Sequence, residues 1–189
     1  MKTWIPSLIV AALMSVLAFS QKSDSLVAEK PMPGTFRDLR IVIRKEKRTL
    51  EAYDGEVLKK TYAIALGFAP SGDKEIEGDG KTPEGEFYVF TKNPQSKFHL
   101  SIGISYPSKE DAERGFAGGL ISKTERDAIL SAIDAKRMPP QKTKLGGEIY
   151  LHGGGTGRDW TWGCVALKNE DIEEIFTAVP VGTKVTILP

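Results

Sequence analysis

The 189-residue chain is poor in the residues that most directly announce chemistry: it has one cysteine, Cys164, and two histidines, His99 and His152. A single cysteine excludes an internal disulfide. With the two histidines 53 positions apart, the close pairing of a structural zinc site is also lacking, and no metal and no cofactor are expected. No serine stands in a G-x-S-x-G turn, and the serine-hydrolase reading invited by His152-Gly153-Gly154-Gly155 therefore has no nucleophile. The stretch GDGKTPEG mimics a phosphate-binding loop, but Glu75 occupies the position of its first glycine and Pro83 blocks the helix start. An excess of charge is missing too: 26 Lys and Arg face 25 Asp and Glu. That balance excludes binding to nucleic acid or an anionic membrane through bulk charge.

Long apolar runs are also scarce. The longest, Leu8 to Phe19, is broken only by Ser15, follows a single early charge at Lys2, and ends near the small residues Ala18 and Ser20. It falls short of the ~18–20 residues that span a bilayer. Residues 1–20 therefore read as a cleaved signal peptide, which implies an exported protein of the periplasm or cell envelope. No cysteine lies near the cleavage point, so no lipid anchor is expected. An unpaired thiol in an oxidising compartment risks oxidation, and its presence there points to use.

Residues 21–36 are polar and proline-bearing and read as a flexible leader, leaving 37–189 as one domain. Strand signals dominate it. Leu39 to Arg44 alternates, the charged turn Lys45 to Lys47 leads to Thr49–Tyr53, and Asp54-Gly55 closes a hairpin onto Val57–Gly67. Ala69 to Glu86 is a glycine- and proline-rich loop. Strands are expected at Phe87–Thr91, Phe98–Ser105, Glu148–His152 and Lys184–Leu188. Helices are expected at Ser108–Arg114, Lys123–Arg137 and Asn169–Phe176, the last capped by Asn169. The fold class is mainly β with a few helices.

The remaining chemistry is a cysteine and histidine pair. A thiolate is a nucleophile, and an imidazole can take its proton and return it to a leaving amine. His152 closes a strand, Cys164 opens the apolar stretch Val165-Ala166-Leu167, and neighbouring strands would set them side by side. Gly163 lets a carbonyl approach the backbone, and the amides of Gly163 and Cys164 are candidate oxyanion donors.

The order of motifs resembles the L,D-transpeptidase catalytic domain (YkuD) family. His152-Gly153 and Thr161-Trp162-Gly163-Cys164 are similar to its histidine-glycine and [Ser/Thr]-His-Gly-Cys elements. The DG turn, GDGKTPEGEF at Gly78–Phe87 and FHLSIGISYP at Phe98–Pro107 precede them in family order. The resemblance implies a β-sandwich-like fold, Cys164 as nucleophile, and His152 as a base oriented by the Gly153 carbonyl. It also implies the stem peptides of peptidoglycan as partner, attacked after the L-centre of a diamino acid, and sensitivity to carbapenems. Two family positions differ. The histidine before Gly-Cys is Trp162, and the arginine that often follows is Ala166, features similar to the YafK-type branch, which includes amidases. Arg158 is the substitute candidate for carboxylate binding, Trp160, Thr161 and Trp162 are candidate cleft residues, and Tyr106 and His99 read as structural. Three outcomes stand open: transfer to an amine, which the family favours; hydrolysis of a diaminopimelate linkage, which the loss of two polar groups favours; and a silent wall-binding module.

Overall fold

The computed structural model describes Met1 and residues 36–189; the expected signal peptide and nearly all of the leader lie outside the described residues. Within 36–189 the strands are β1 (Leu39–Arg44), β2 (Thr49–Asp54), β3 (Val57–Ala63), β4 (Gly85–Ser96), β5 (His99–Ile104), β6 (Tyr150–His152), β7 (Val165–Ala166) and β8 (Lys184–Leu188). Helices α1 (Lys109–Ala117) and α2 (Lys123–Asp134) stand between β5 and β6, and α3 (Asn169–Ala178) between β7 and β8. All the strands share one sheet, in the order β3-β2-β1-β8-β4-β5-β6-β7. Chain order explains part of this: tight connections give the antiparallel meander β1-β2-β3 and the hairpin β4-β5. The last strand then enters the middle, parallel to β1 and antiparallel to β4.

The sandwich-like shape implied by the resemblance arises from this single sheet. β4 is longer than its sequence signal because it serves two partners: Gly85–Tyr88 pairs with β8, whereas the stretch from Val89 to Ser96 pairs with β5 through two register shifts. Such irregularities bend a strand and turn the sheet. The far edges then meet, as the segment after β3 bridges β7 at Ala65 and Ala166. One continuous core fills the interior, with Ile41, Ile43, Val89, Ile104, Leu151 and Ile187 among its members. Ile172 and Ile175 of α3 complete it from outside the sheet. In β8 alternation sends Val185 and Ile187 inward. α1 and α2 carry a second, smaller cluster with Leu145, over the loop leading to β6. Each begins with a reciprocal capping box, at Ser108 and Asp111 and at Ser122 and Glu125.

One sequence expectation is corrected. Asn169 does not cap α3; Lys168 holds that position without a side-chain hydrogen bond, and Asn169 Oδ1 accepts from the Gly154 amide at 3.0 Å. The side chain has a stronger use in holding the loop after His152. Lys45, read as part of a charged turn, is buried. Its ammonium donates to the carbonyls of Gly72 at 2.5 Å and Thr82 at 2.9 Å and pairs with Glu84 at 2.7 Å. It thereby ties the long loop before β4 to the end of β1. Lys45→Ala strands two carbonyls and a carboxylate, so it is expected to cost about 3 kcal/mol, read as a lower urea midpoint at unchanged slope.

Candidate active site

β7 is two residues long and runs parallel to β6, with Leu151 opposite Val165 and His152 opposite Ala166. Side chains alternate along each strand, so His152 and Cys164, one residue before Val165, project to the same face of adjoining strands. The imidazole is 3% exposed. Its Nδ1 lies 2.6 Å from the carbonyl of Gly153. A carbonyl only accepts, so Nδ1 carries the proton and Nε2 presents a lone pair. Phe98 stacks on the ring at 4.6 Å and Trp160 meets it edge-on at 5.6 Å. Burial against these rings pushes the His152 pKa below its ordinary value, opposed by the bond to Gly153. The base is neutral at neutral pH.

Cys164 is half-buried and lines a cleft of about 810 Å³. Its thiol donates to the carbonyl of Glu148 at 3.4 Å. Desolvation pushes the Cys164 pKa up to about 11, and the Glu148 carboxylate adds to the rise, while the Tyr150 amide and the Lys74 ammonium oppose it. Both shifts disfavour the charged forms and so favour a protonated thiol beside a neutral imidazole.

The loop between the strands is fixed from several sides. A Cβ on Gly153 would stand 2.5 Å from Asn169 Oδ1 and 2.8 Å from the carbonyl of Phe98, so only glycine fits there. Asp159 receives Arg48 at 2.8 Å and the Leu66 amide at 2.8 Å, and the Leu66 carbonyl accepts from the amides of Trp160 and Thr161. Gly155 donates to the Leu167 carbonyl at 2.8 Å and accepts from the Trp160 indole at 3.1 Å.

The candidates read from sequence separate in this frame. Trp160 forms a wall of the histidine's pocket. Trp162, 72% exposed, stands at the cleft rim edge-on to Phe68 at 5.0 Å. Thr161 is buried and does not face the cleft; its hydroxyl donates to the Cys164 carbonyl at 2.7 Å and accepts from the Gly163 amide at 3.2 Å. That bond also occupies Gly163 N–H, leaving the Cys164 amide as the available member of the expected oxyanion pair. Arg158 is exposed and, like His152, is not among the residues lining this cleft. The cleft's cations are instead Lys74, Lys142 and Lys144. Sequence reasoning missed these, along with Glu77, Glu148 and the stacking role of Phe98. The only local signal was the alternation Lys142-Thr143-Lys144 before the glycine pair Gly146-Gly147.

Gly163 has φ +121, and a Cβ there would lie 2.7 Å from the Lys81 carbonyl. Gly163→Ala is therefore expected to cost about 2 kcal/mol or more and to displace Cys164. Chemical denaturation reads the first effect, and a changed rate of thiol alkylation in the folded variant reads the second.

Comparison with known proteins places this geometry. The model of the L,D-transpeptidase catalytic domain family (YkuD) matches residues 38–187, a span that includes every strand from β1 to β7 and both His152 and Cys164. YqjB of Bacillus subtilis (strain 168), named as a candidate L,D-transpeptidase, is 27% identical over 168 residues, covering 85% of this chain and 76% of that protein. The helical cell shape determining protein Pgp2 of Campylobacter jejuni superposes with a TM-score of 0.54 at 23% identity, over 81% of this chain and 49% of its own. Bd1075 of Bdellovibrio bacteriovorus gives 0.52 at 21% identity, over 84% and 51%. The chain thus spans about half the length of these solved structures, and at such identities the likeness is one of fold. With nearly all of the described domain inside the family match, the chain belongs to the L,D-transpeptidase catalytic domain family.

Proposed function

We propose that the chain is an exported cysteine enzyme that acts on peptidoglycan stem peptides through a thioacyl intermediate and passes the acyl group to an amine. Cys164 is the nucleophile, His152 the base, and the Gly153 carbonyl the group that fixes the base's tautomer. The observation that carries this reading is the pair of strands that aims both side chains at one face, with His152 Nε2 unprotonated and the thiol opening on the cleft. Export rests on the composition of residues 1–20 alone.

The chemistry follows from the resting charges. Cys164 leaves the Glu148 carbonyl, and Nε2 accepts its proton as sulfur bonds to the substrate carbonyl carbon. The Cys164 amide stabilises the oxygen that becomes negative. Collapse breaks the carbon–nitrogen bond, the imidazolium returns the proton to the leaving amine, and a thioester remains. An acceptor amine then attacks, gives its proton to Nε2, and expels the sulfur, which is reprotonated. Phe98 and Trp160 hold water off the imidazole throughout. Charged groups inside the cleft, absent from the sequence reading, supply places for an amine-bearing acceptor and favour transfer over hydrolysis.

The full chain, incubated with a diaminopimelate tetrapeptide and a D-amino acid, is expected to exchange the terminal residue, as mass spectrometry would read. Shortened stems alone would replace transfer with hydrolysis, and no product would leave a silent module. Cys164→Ala should abolish turnover, and His152→Gln should lower it by about a hundredfold or more. The pH dependence has a defined sign. His152 loses its lone pair only when protonated, so the acid limb of kcat/KM should lie below its ordinary value of 6.5. Because the thiol's pKa is raised to about 11, alkylation by iodoacetamide should rise about tenfold per pH unit through neutrality. A rate already level at pH ~7 would reveal a preformed thiolate and overturn the neutral pair.

A further inference from the structure

The turn that carries Phe98 runs against a backbone preference. Lys97 and Phe98 join β4 to β5, with Ser96 opposite His99. His99, the residue after the turn, has φ +74, in the left-handed region. That position of a short hairpin is normally left to glycine, because a Cβ crowds the backbone there. A histidine is kept there at a cost in strain, which points to a use for its side chain. Its Nε2 donates to Glu173 Oε1 of α3 at 2.6 Å. The two side chains are 38% and 58% exposed, so the pair adds little to global stability. Its effect is local.

Glu173 lies one helical turn after Asn169, on the same face of α3. Asn169 holds the loop after His152 through its bond to the Gly154 amide, and Glu173 holds the hairpin turn that packs on that loop. Gly153 is enclosed between the two: a Cβ there would meet His99 Cβ at 3.1 Å as well as Asn169 Oδ1 and the Phe98 carbonyl. Phe98 is 46% exposed, yet its ring lies 28° from parallel on His152. Trp160, the other wall, is anchored through its indole to the Gly155 carbonyl. The Phe98 ring has no polar anchor of its own, and its place depends on how the turn is tied down. Farther back on the hairpin, Lys92 lies over the Phe176 ring at 4.6 Å, which ties the body of β4 to α3 and leaves the tip to His99.

We propose that His99, held by Glu173, is a positioning residue for His152: the pair clamps the β4–β5 turn to α3 and so keeps Phe98 stacked on the imidazole, closing it from water. The assignment of His152 as a base rests on the function proposed above, whereas the clamp and the ring it places do not. The consequence is read at the imidazole. Its pKa is lowered by burial and raised by the bond to Gly153, and no charged side chain among the described residues adds to either influence. Phe98 and Trp160 are the rings turned toward it, and Cys164 is the titratable group that shares its face. Releasing the turn lets water reach the ring, favours the charged form and moves the pKa up toward its ordinary value.

Histidine-ring NMR titration of the full chain tests this directly, because His99 and His152 are its only histidines. His99→Gly removes the clamp and suits the left-handed backbone, so the turn is retained; Glu173→Ala removes the partner and leaves the histidine. Each should raise the His152 midpoint by about half a unit, and the double variant should go no further than either single one, since both break one bond. Phe98→Ala should raise it at least as far. The acid limb of kcat/KM should move up by the same amount in each active variant. Urea denaturation should show His99→Gly no less stable than the parent, which separates loss of the clamp from loss of the fold. An unchanged His152 midpoint in His99→Gly, in Glu173→Ala or in Phe98→Ala overturns the proposal. An upward shift in all three, in a chain that turns over no peptide, would sustain the clamp while removing the role of His152 as a base.

Discussion

Everything at the site depends on how the two edges of one sheet are closed. Ala65 and Ala166 exchange backbone hydrogen bonds at 2.9 and 2.8 Å, and this reciprocal pair joins the segment after β3 to the strand that follows Cys164. β7 is too short to be stable by itself, so its position is borrowed from β6 on one side and from this bridge on the other. The contact continues along the chain: Leu66 takes the amides of Trp160 and Thr161, and Phe68 donates to the Thr161 carbonyl at 3.0 Å. Residues 64–68 act as a template on which the whole approach to Cys164 is laid. Both alanine side chains are buried at this junction, so a longer side chain at either position would have to displace its neighbours. An arginine at 166 would have to leave a fully buried site.

The parts legible in the sequence are those set by local pattern. Alternation placed β1, β2 and β8, and the Asp54-Gly55 turn placed the hairpin between β2 and β3, with Gly55 at φ +59. Tyr106, read as structural, is buried and holds a loop carbonyl. What local pattern does not carry is the destination of a polar side chain. Asn169 has every feature of a helix cap and is diverted to the Gly154 amide 15 positions back. Lys45 sits among charged neighbours that imply solvent, yet the loop from Gly72 to Glu84 folds over it. Arg158 was placed in the site by proximity in sequence to Cys164; the loop's bracing through Asp159 and Trp160 leaves it outside the cleft lining. Lys142 and Lys144 are far from the motif in sequence and reach the cleft only because α1, α2 and Tyr106 hold that loop in place.

The electrostatics of the site follow from the same packing. The aromatic walls that Phe98 and Trp160 give His152 disfavour a charge on the imidazole, and the protein around Cys164 disfavours one on the sulfur. A resting thiolate and imidazolium would carry both penalties, offset by their attraction for each other. The neutral pair keeps the proton on sulfur, directed at the Glu148 carbonyl, and keeps Nε2 available because the Gly153 carbonyl holds the other tautomeric position. Charge separation is then confined to the step in which the sulfur–carbon bond forms. Glu148 acts on the thiol twice: its carbonyl fixes the resting direction, and its carboxylate adds to the rise in pKa that desolvation begins.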